Sequence, residues 1–334
     1  MKLSTDILFP LCGFSNFMKV TEHIEQADST RVSFEILPPL KGGSIEQVFS
    51  MLDPLMEFKP PFIDVTYHRE EFIYQKRPGG FYEKVAIRKR PGTVGICAGI
   101  INRYSIDAIP HLICGGFSKD ETENALIDLS FLGVKNVLAL RGDVRKPDNH
   151  FIPEEDGHAH AIDLVKQIVD MNQGKFLHEE TVDGGHADFC VGVAGYPEKH
   201  FEAPNLKSDI AYLKQKIDAG ADYIVTQMFF DNQKYFDFVE QCRQAGIKVP
   251  IIPGLKPLTR KSQLNMLPST FHVNIPDDLY ETASVCKDEK ALRQVGIEWA
   301  IMQSRELIEA KVPILHFYTL SNVKTVAKIV SKIF

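Results

Sequence analysis

Asn136-Val137-Leu138-Ala139-Leu140-Arg141-Gly142-Asp143 is an apolar run that stops abruptly in a charged turn. Consecutive apolar residues of this length suit a strand covered on both faces, as in a parallel sheet. The same form recurs on either side of it. Val32–Leu37, Phe62–Tyr67 and Thr93–Ala98 precede it, and Phe189–Ala194, Tyr223–Gln227, Pro250–Leu255 and Pro313–Tyr318 follow. Longer stretches with apolar residues at helical spacing separate these runs: Ser44–Met56, Asp120–Leu132, Asn205–Ala219, Asp231–Ala245 and Asp288–Ala310. Acidic residues open the second, and glycines follow the third and fourth, as helix starts and stops require. Eight strands with helices in the gaps predict an α/β, single-domain (β/α)8 TIM barrel rather than an open doubly wound sheet. Residues 1–30 are expected to form an N-terminal segment packing on the barrel, with 31–334 as the barrel itself. Asp170–Asp188, rich in Gly, His and acidic residues, reads as a loop before the fifth strand.

Polar residues gather where these runs end, and burying them without partners would be costly. Glu35 lies within Phe34-Glu35-Ile36-Leu37-Pro38-Pro39, and Thr66 and Tyr67 close the second run. His111 is expected to follow the third strand and its connection, and Arg141-Gly142-Asp143 closes the fourth. Tyr196 to His200 follow the fifth, Thr226-Gln227 close the sixth, and Lys256 follows Pro253-Gly254-Leu255. In a barrel these ends converge on the rim where active sites are built, which argues for an enzyme.

Composition narrows the class further. A chain of 334 residues, 44% hydrophobic, with a net charge of −6, offers no electrostatic footprint for nucleic acid. No stretch reaches the length of a membrane helix, and the N-terminus lacks a secretory h-region, so a cytoplasmic protein is expected. The cysteines, Cys12, Cys97, Cys114, Cys190, Cys242 and Cys286, form no CxxC pair and read as buried free thiols. GxGxxG after a strand, GxxxxGK[ST], HExxH and GxSxG are all absent. His150, His158 and His160 lie in an acidic, Gly-containing stretch and read as a solvated loop and helix start. No metal site is expected.

Taken together, the strand-end motifs resemble those of the methylenetetrahydrofolate reductase family. Phe34–Pro39 resembles FEFFPP, Val65-Thr66-Tyr67 resembles the family's second strand end, and Pro110-His111-Leu112 resembles PHLTC. Ala139–Asp143 matches ALRGD, Ala194–His200 resembles AGYPEGH, and Thr226–Asp231 resembles TQLFFD. Pro253–Pro257 resembles PGIMP, and His316–Leu320 matches HFYTL. The order is kept from about residue 31 to the C-terminus.

The resemblance implies an FAD-containing barrel that reduces 5,10-methylenetetrahydrofolate to 5-methyltetrahydrofolate, supplying methyl groups for methionine synthesis. NADH or NADPH would reduce the flavin and leave before the folate binds. It implies Glu35 as the general acid toward N10 and Asp143 as a carboxylate beside flavin and pterin. Gln227, with Gln263, would contact the substrate. For FAD it implies Thr66, Tyr67, His111, Arg141, Gly142, Asp143, Tyr196, His200, Ala203, Asp209 and Lys216. A homo-oligomer without nucleic-acid or membrane partners is implied, as is an unregulated, prokaryotic-type enzyme. Another flavin-dependent barrel oxidoreductase (proline-dehydrogenase-like) and a non-catalytic flavin- or folate-binding barrel remain as alternatives.

The chain also departs from the pattern. His68-Arg69 replace small residues, Tyr212 and Gln215 stand where some relatives have Asn and Arg, and Leu267 lies near an expected aromatic. Ser321-Asn322 replace an Asn-Arg pair, removing a cation expected for the folate's glutamate tail. Lys256, Arg260, Lys261 and Lys324 are its candidate replacements.

Overall fold

A computed structural model describes residues 17–144, 148–178, 185–320 and 322–334. Cys12, most of the 1–30 segment, part of the Asp170–Asp188 loop and Ser321 lie outside the described residues.

In chain order, α1 (Val20–Glu25) precedes β1 (Arg31–Ile36), α2 (Ile45–Met56) and β2 (Phe62–Val65). A hairpin, β3 (Glu71–Lys76) and β4 (Tyr82–Ile87), leads to α3 (Thr93–Tyr104) and β5 (Asp107–Ile113). Then come α4 (Lys119–Phe131), β6 (Asn136–Leu140), α5 (Ala161–Asn172), β7 (Cys190–Gly195), α6 (Leu206–Asp218), β8 (Tyr223–Thr226) and α7 (Asn232–Gln244). The chain closes with β9 (Ile251–Ile252), β10 (Gly254–Leu255), α8 (Gln263–Phe271), α9 (Asp277–Ser284), α10 (Glu289–Glu309), β11 (Ile314–Leu320) and α11 (Val323–Val330).

The main sheet runs β10-β11-β1-β2-β5-β6-β7-β8-β9, and every pairing in it is parallel. β9 and β10 are two halves of one strand, divided at Pro253, which has no N–H to give to a ladder. Because β9 pairs with β8 and β10 with β11, the sheet closes into a barrel of eight strands among the described residues. The expected (β/α)8 fold is what the chain adopts.

Side chains alternate across this sheet. Val32, Phe34, Ile36, Ile63, Val65, Val191 and Val193 face the helices in the large core cluster. Phe62, Ile109, Leu138, Tyr223, Val225, Ile252 and Ile314 fill the barrel interior. Among the described residues, four of the helices are begun by side-chain caps. Ser118 Oγ accepts from Glu121 N at 3.2 Å while Glu121 Oε2 accepts from Ser118 N at 2.8 Å. Such a box contributes about 1 kcal/mol. Asn205, Asp231 and Asp288 cap α6, α7 and α10 with a single side-chain oxygen accepting a backbone N–H.

Helix α1 closes the amino-terminal mouth. Val20 is fully buried, and its N–H donates to Asn136 Oδ1 at 2.7 Å at the start of β6. Met18 N donates to Asp107 Oδ2 at the start of β5 (3.1 Å), and His23 Nε2 lies 2.7 Å from the same oxygen. The opposite, carboxyl-terminal rim is the one left for ligands.

Two sequence expectations are corrected between β2 and β6. Thr93–Ala98 is not the third strand; it is the first half of α3. Its β-branched residues give it strand composition, yet Ile96, Cys97 and Ile100 are buried at helical spacing. The third barrel strand is β5, so His111 lies within that strand rather than beyond it and its connection. Asp107, Pro110 and His111 disguised it, because each is unusual in a central strand. The β3–β4 hairpin was not anticipated. It stands outside the barrel, with Tyr74, Phe81 and Tyr82 exposed.

Cys97, Cys114, Cys190 and Cys242 are buried free thiols, and Cys286 is a partly exposed one. His158 is buried against Gln167 Oε1 (2.5 Å), not solvated as its context implied, while His160 occupies the N-cap position of α5. Among the described residues no helix is long and apolar enough to cross a membrane, and no group of His, Cys, Asp and Glu is placed to hold a metal.

Candidate active site

Parallel register sets the site. Glu35 on β1 stands level with Asp64 on β2 and with Tyr318 on β11, and Ser33 stands level with His316. All point inward because their neighbours Phe34, Ile63 and Phe317 face the helices. His111, two residues beyond inward-facing Ile109, joins them from β5.

The Glu35 side chain is 9% exposed, with Oε2 3.6 Å from His111 Nε2. His111 Nε2 is also 3.5 Å from Asp64 Oδ1. Burial pushes the Glu35 carboxyl up to about 7; His111 pulls against this, Asp64 adds to it and Lys256 opposes it. Burial likewise pushes Asp64 up to about 6, against the pull of His316. The imidazole of His111 is pushed down by burial, which neighbouring Glu35 opposes. Lys256, only 6% exposed, is pushed down to about 8 by burial, countered by Glu35 and reinforced by Arg260. The arrangement is that of a carboxyl group still able to carry its proton near neutral pH.

Above this layer lies the rim. Thr66 Oγ1 donates to the Ile36 carbonyl at 3.1 Å, and Tyr67 packs its ring on Phe117 with centroids 5.0 Å apart. Arg141 Nη1 contacts Glu202 Oε2 at 2.5 Å, and its guanidinium lies over Phe151. Gly142 has φ +87°, and a Cβ there would meet Ile113 at 3.3 Å, so this turn requires glycine. Asp143 is exposed at the rim, and its carbonyl accepts from Arg69 Nη2 at 2.8 Å. The unexpected Arg69 therefore ties the β2 loop to the β6 loop.

On the β7 side, Tyr196 meets His200 edge-on, with centroids 4.8 Å apart. Asp209 Oδ2 accepts the His200 N–H at 2.8 Å, and Lys199 Nζ donates to the Ala203 carbonyl at 3.0 Å. Lys216 reaches from α6 to the Ala194 carbonyl at 2.9 Å. Burial pushes its ammonium down to about 8, opposed by Asp209. A desolvated cation with a carbonyl and one carboxylate nearby suits an added anion.

Gln227 Oε1 accepts its neighbour Met228's N–H at 2.9 Å. Gln263 Oε1 accepts from Thr259 N at 2.7 Å and from Arg260 N at 2.9 Å, which shapes the loop after Lys256. Leu267 is fully buried in a separate apolar cluster with Met228 and Phe230, where Trp299 Nε1 donates to the Phe230 carbonyl at 2.9 Å. Tyr212 is 54% exposed on the outer face of α6. Of the cations considered for the glutamate tail, Lys256 lies inside the barrel beside Glu35, and Lys261 Nζ donates to the Ser284 carbonyl at 2.8 Å.

Sequence reading missed Asp64, His316 and Ser33. Asp64 carried one usable signal, a lone acid inside the apolar run Phe62-Ile63-Asp64-Val65. His316 was seen only as part of a motif.

The chain is 32% identical over 317 residues to "Methylenetetrahydrofolate reductase (NADH) 1" of Arabidopsis thaliana, covering 91% of this chain and 49% of that protein. It spans about half the length of the first curated relatives it matches. To the 5,10-methylenetetrahydrofolate reductase of Escherichia coli (strain K12) it is 32% identical over 291 residues, covering 87% of this chain and 86% of that one. Among solved structures, an uncharacterized protein from Clostridium thermocellum that binds two copies of 5-methyl-5,6,7,8-tetrahydrofolic acid shares the fold. Its TM-score is 0.60 at 16% identity, covering 93% of this chain and 98% of that one. The family model described as methylenetetrahydrofolate reductase matches residues 19–333, from the start of α1 through the last helix. With the Glu35 layer and its rim inside that span, the chain belongs to the methylenetetrahydrofolate reductase family.

Proposed function

We propose that this protein reduces 5,10-methylenetetrahydrofolate to 5-methyltetrahydrofolate with FAD as hydride carrier and NADH or NADPH as reductant. The observation that carries the reading is Glu35, a buried acid just beneath the carboxyl rim, 3.6 Å from His111 and level with Asp64, where burial pushes its carboxyl up to about 7. Opening the folate's five-membered ring leaves N10 in need of a proton, and a carboxyl group protonated at working pH is suited to give it.

The donor set fits a flavin dinucleotide. Lys216 offers the desolvated cation that a diphosphate needs, and Asp209 beside it suits ribose hydroxyls. Thr66, Tyr67, His111, Arg141, Gly142, Asp143, Tyr196, His200 and Ala203 come from the ends of the neighbouring strands β2, β5, β6 and β7. Bound FAD would supply the hydride chemistry. Asp143 would set negative charge beside the cationic iminium formed on the substrate, and Gln227 would hold the pterin edge. Gln263 acts toward the same pocket by fixing the loop after Lys256. By this reading residues 1–30 would be the N-terminal segment packing on the barrel, with the described α1 at its amino-terminal mouth, and 31–334 the catalytic barrel.

The test is an anaerobic absorbance titration of the purified protein, first with NADH and then with 5,10-methylenetetrahydrofolate. The flavin band should bleach and then return. Bleaching without return would remove the folate assignment, and a protein that takes up no FAD would remove the flavoprotein reading. The rate of return should be highest below about pH 7 and fall above it, since Glu35 is protonated only below its own midpoint.

Lys216→Ala is expected to weaken FAD retention roughly ten- to a hundredfold, the value of about 1.5–3 kcal/mol for a hydrogen bond to a charged group. Flavin fluorescence after desalting measures it. Retention equal to wild type would place the diphosphate elsewhere.

A further inference from the structure

Beside and below Glu35 the barrel interior holds a line of polar side chains that donation of one proton to N10 does not require. Ser33 Oγ lies 2.8 Å from His316 Nδ1, which lies 3.9 Å from Asp64 Oδ2. Asp64 Oδ1 lies 3.5 Å from His111 Nε2, which lies 3.6 Å from Glu35 Oε2. Ser33, Asp64 and His316 are at most 1% exposed. Both Asp64 carboxylate oxygens, His111 Nε2 and His316 Nε2 have no hydrogen-bond partner among the described residues.

Such a cluster is expensive. A buried polar atom left unpaired costs about 1–3 kcal/mol, and apolar side chains of similar size are often the more stable choice. The neighbouring inward positions make that choice, with Phe62, Ile109 and Ile314 one step down the same strands. Stability alone therefore does not account for an acid and two imidazoles at this level. The position of His111 does. Its Nε2 stands nearly midway between the two carboxyl groups, a few tenths of an ångström beyond hydrogen-bond reach of either. One N–H can face Asp64 while Glu35 keeps its proton, and turn to Glu35 once that carboxyl has become a carboxylate.

We propose that Asp64 is a positioning residue for the proton of Glu35, acting through His111, with His316 and Ser33 holding Asp64 in its anionic form. This rests on the folate-reducing reading above. In the step concerned, the Glu35 O–H bond breaks as an N10–H bond forms, the pair on N10 coming from its broken bond to the methylene carbon. The Asp64 charge favours the protonated Glu35 beforehand, and the His111 N–H stabilises the carboxylate afterwards. The other titratable groups facing this line are Lys256, beyond the end of β10, and Tyr318 on β11. Tyr223 on β8 and Cys97 on α3 complete them. Burial keeps the two phenols and the thiol neutral and pushes both imidazoles toward their neutral form, leaving Lys256 as the opposing cation.

The sign follows from the charges. An anionic Asp64 raises the proton affinity of Glu35, so its removal must lower the pH at which Glu35 loses its proton. Asp64→Asn should leave NADH-driven flavin reduction within about twofold of wild type. The midpoint of folate-driven reoxidation should move about one unit toward acid, which is a tenfold slower rate above both midpoints. His316→Gln removes the imidazole that favours ionised Asp64, so it should move the midpoint the same way by a smaller step, and it serves alone if Asp64→Asn does not fold. A midpoint unmoved in the variants that fold, even with slower rates, would make the cluster structural and overturn the proposal. A wild-type protein not reoxidised by methylenetetrahydrofolate would overturn the function along with it.

Discussion

Glu35→Gln is expected to abolish folate-driven flavin reoxidation while NADH-driven reduction of the flavin survives. The amide keeps the size and shape of the carboxyl group but has no acidic proton to give. General acid catalysis contributes about 10²–10⁴-fold, so the reoxidation rate should fall by at least about a hundredfold. Nothing in the fold should suffer. Glu35 is a carboxyl group placed in the barrel against its own desolvation cost, and neutralising it removes that cost. Melting temperature should therefore stay level or rise. The two half-reactions, followed separately by stopped-flow absorbance, make the comparison clean. Reoxidation within threefold of wild type would take the proton-donor role away from Glu35. Loss of both half-reactions would point instead to a disturbed flavin site at His111, its neighbour at 3.6 Å.

Gly296→Ala carries the largest expected effect on stability. Gly296 lies on α10 where that helix crosses the loop after β10, and an added Cβ would fall 1.8 Å from the Leu258 carbonyl oxygen and 2.7 Å from its carbonyl carbon. The obstacle is backbone, so no rotamer relieves it. The helix or the loop must move. Overpacking of this kind costs up to about 3 kcal/mol or more, a fall in melting temperature on the order of 5 °C for a chain of this size. The loop includes Lys256 and the Thr259 and Arg260 N–H groups held by Gln263, so folate-driven reoxidation should slow as well. Gly95→Ala is the contrasting case. Gly95 is exposed in the first turn of α3 with nothing within 4 Å of its added Cβ, so alanine should stabilise by about 0.5–1 kcal/mol. Equal melting temperatures for the two variants would show that α10 has slack against the loop.

Much of the protein was legible in one dimension. Seven of the eight barrel strands were marked by apolar runs, because a strand covered on both faces has little choice of residue. The rim residues were legible too, since polar groups at strand ends are conspicuous beside those runs. Thr93–Ala98 failed for a related reason: a short β-branched run does not say whether its period is 2 or 3.6 until something packs on it. The structure resolved it by laying Ile96, Cys97 and Ile100 against the core and giving the strand position to Asp107–Ile113. The hairpin between β2 and α3 was hidden because its exposed strands show little apolar alternation.

Sequence by itself determined the barrel, the family resemblance and the rim set around Glu35, Arg141, Asp143, Tyr196 and Gln227. These are properties of single strands and their ends, written in consecutive residues. Only the tertiary structure decided which polar groups stand around Glu35. Ser33, Asp64, His111 and His316 lie on four strands separated by up to 283 positions, and parallel register alone brings them into one line. Their proton affinities are set by the water they lose and the charges they meet. Those quantities exist only once the barrel has closed.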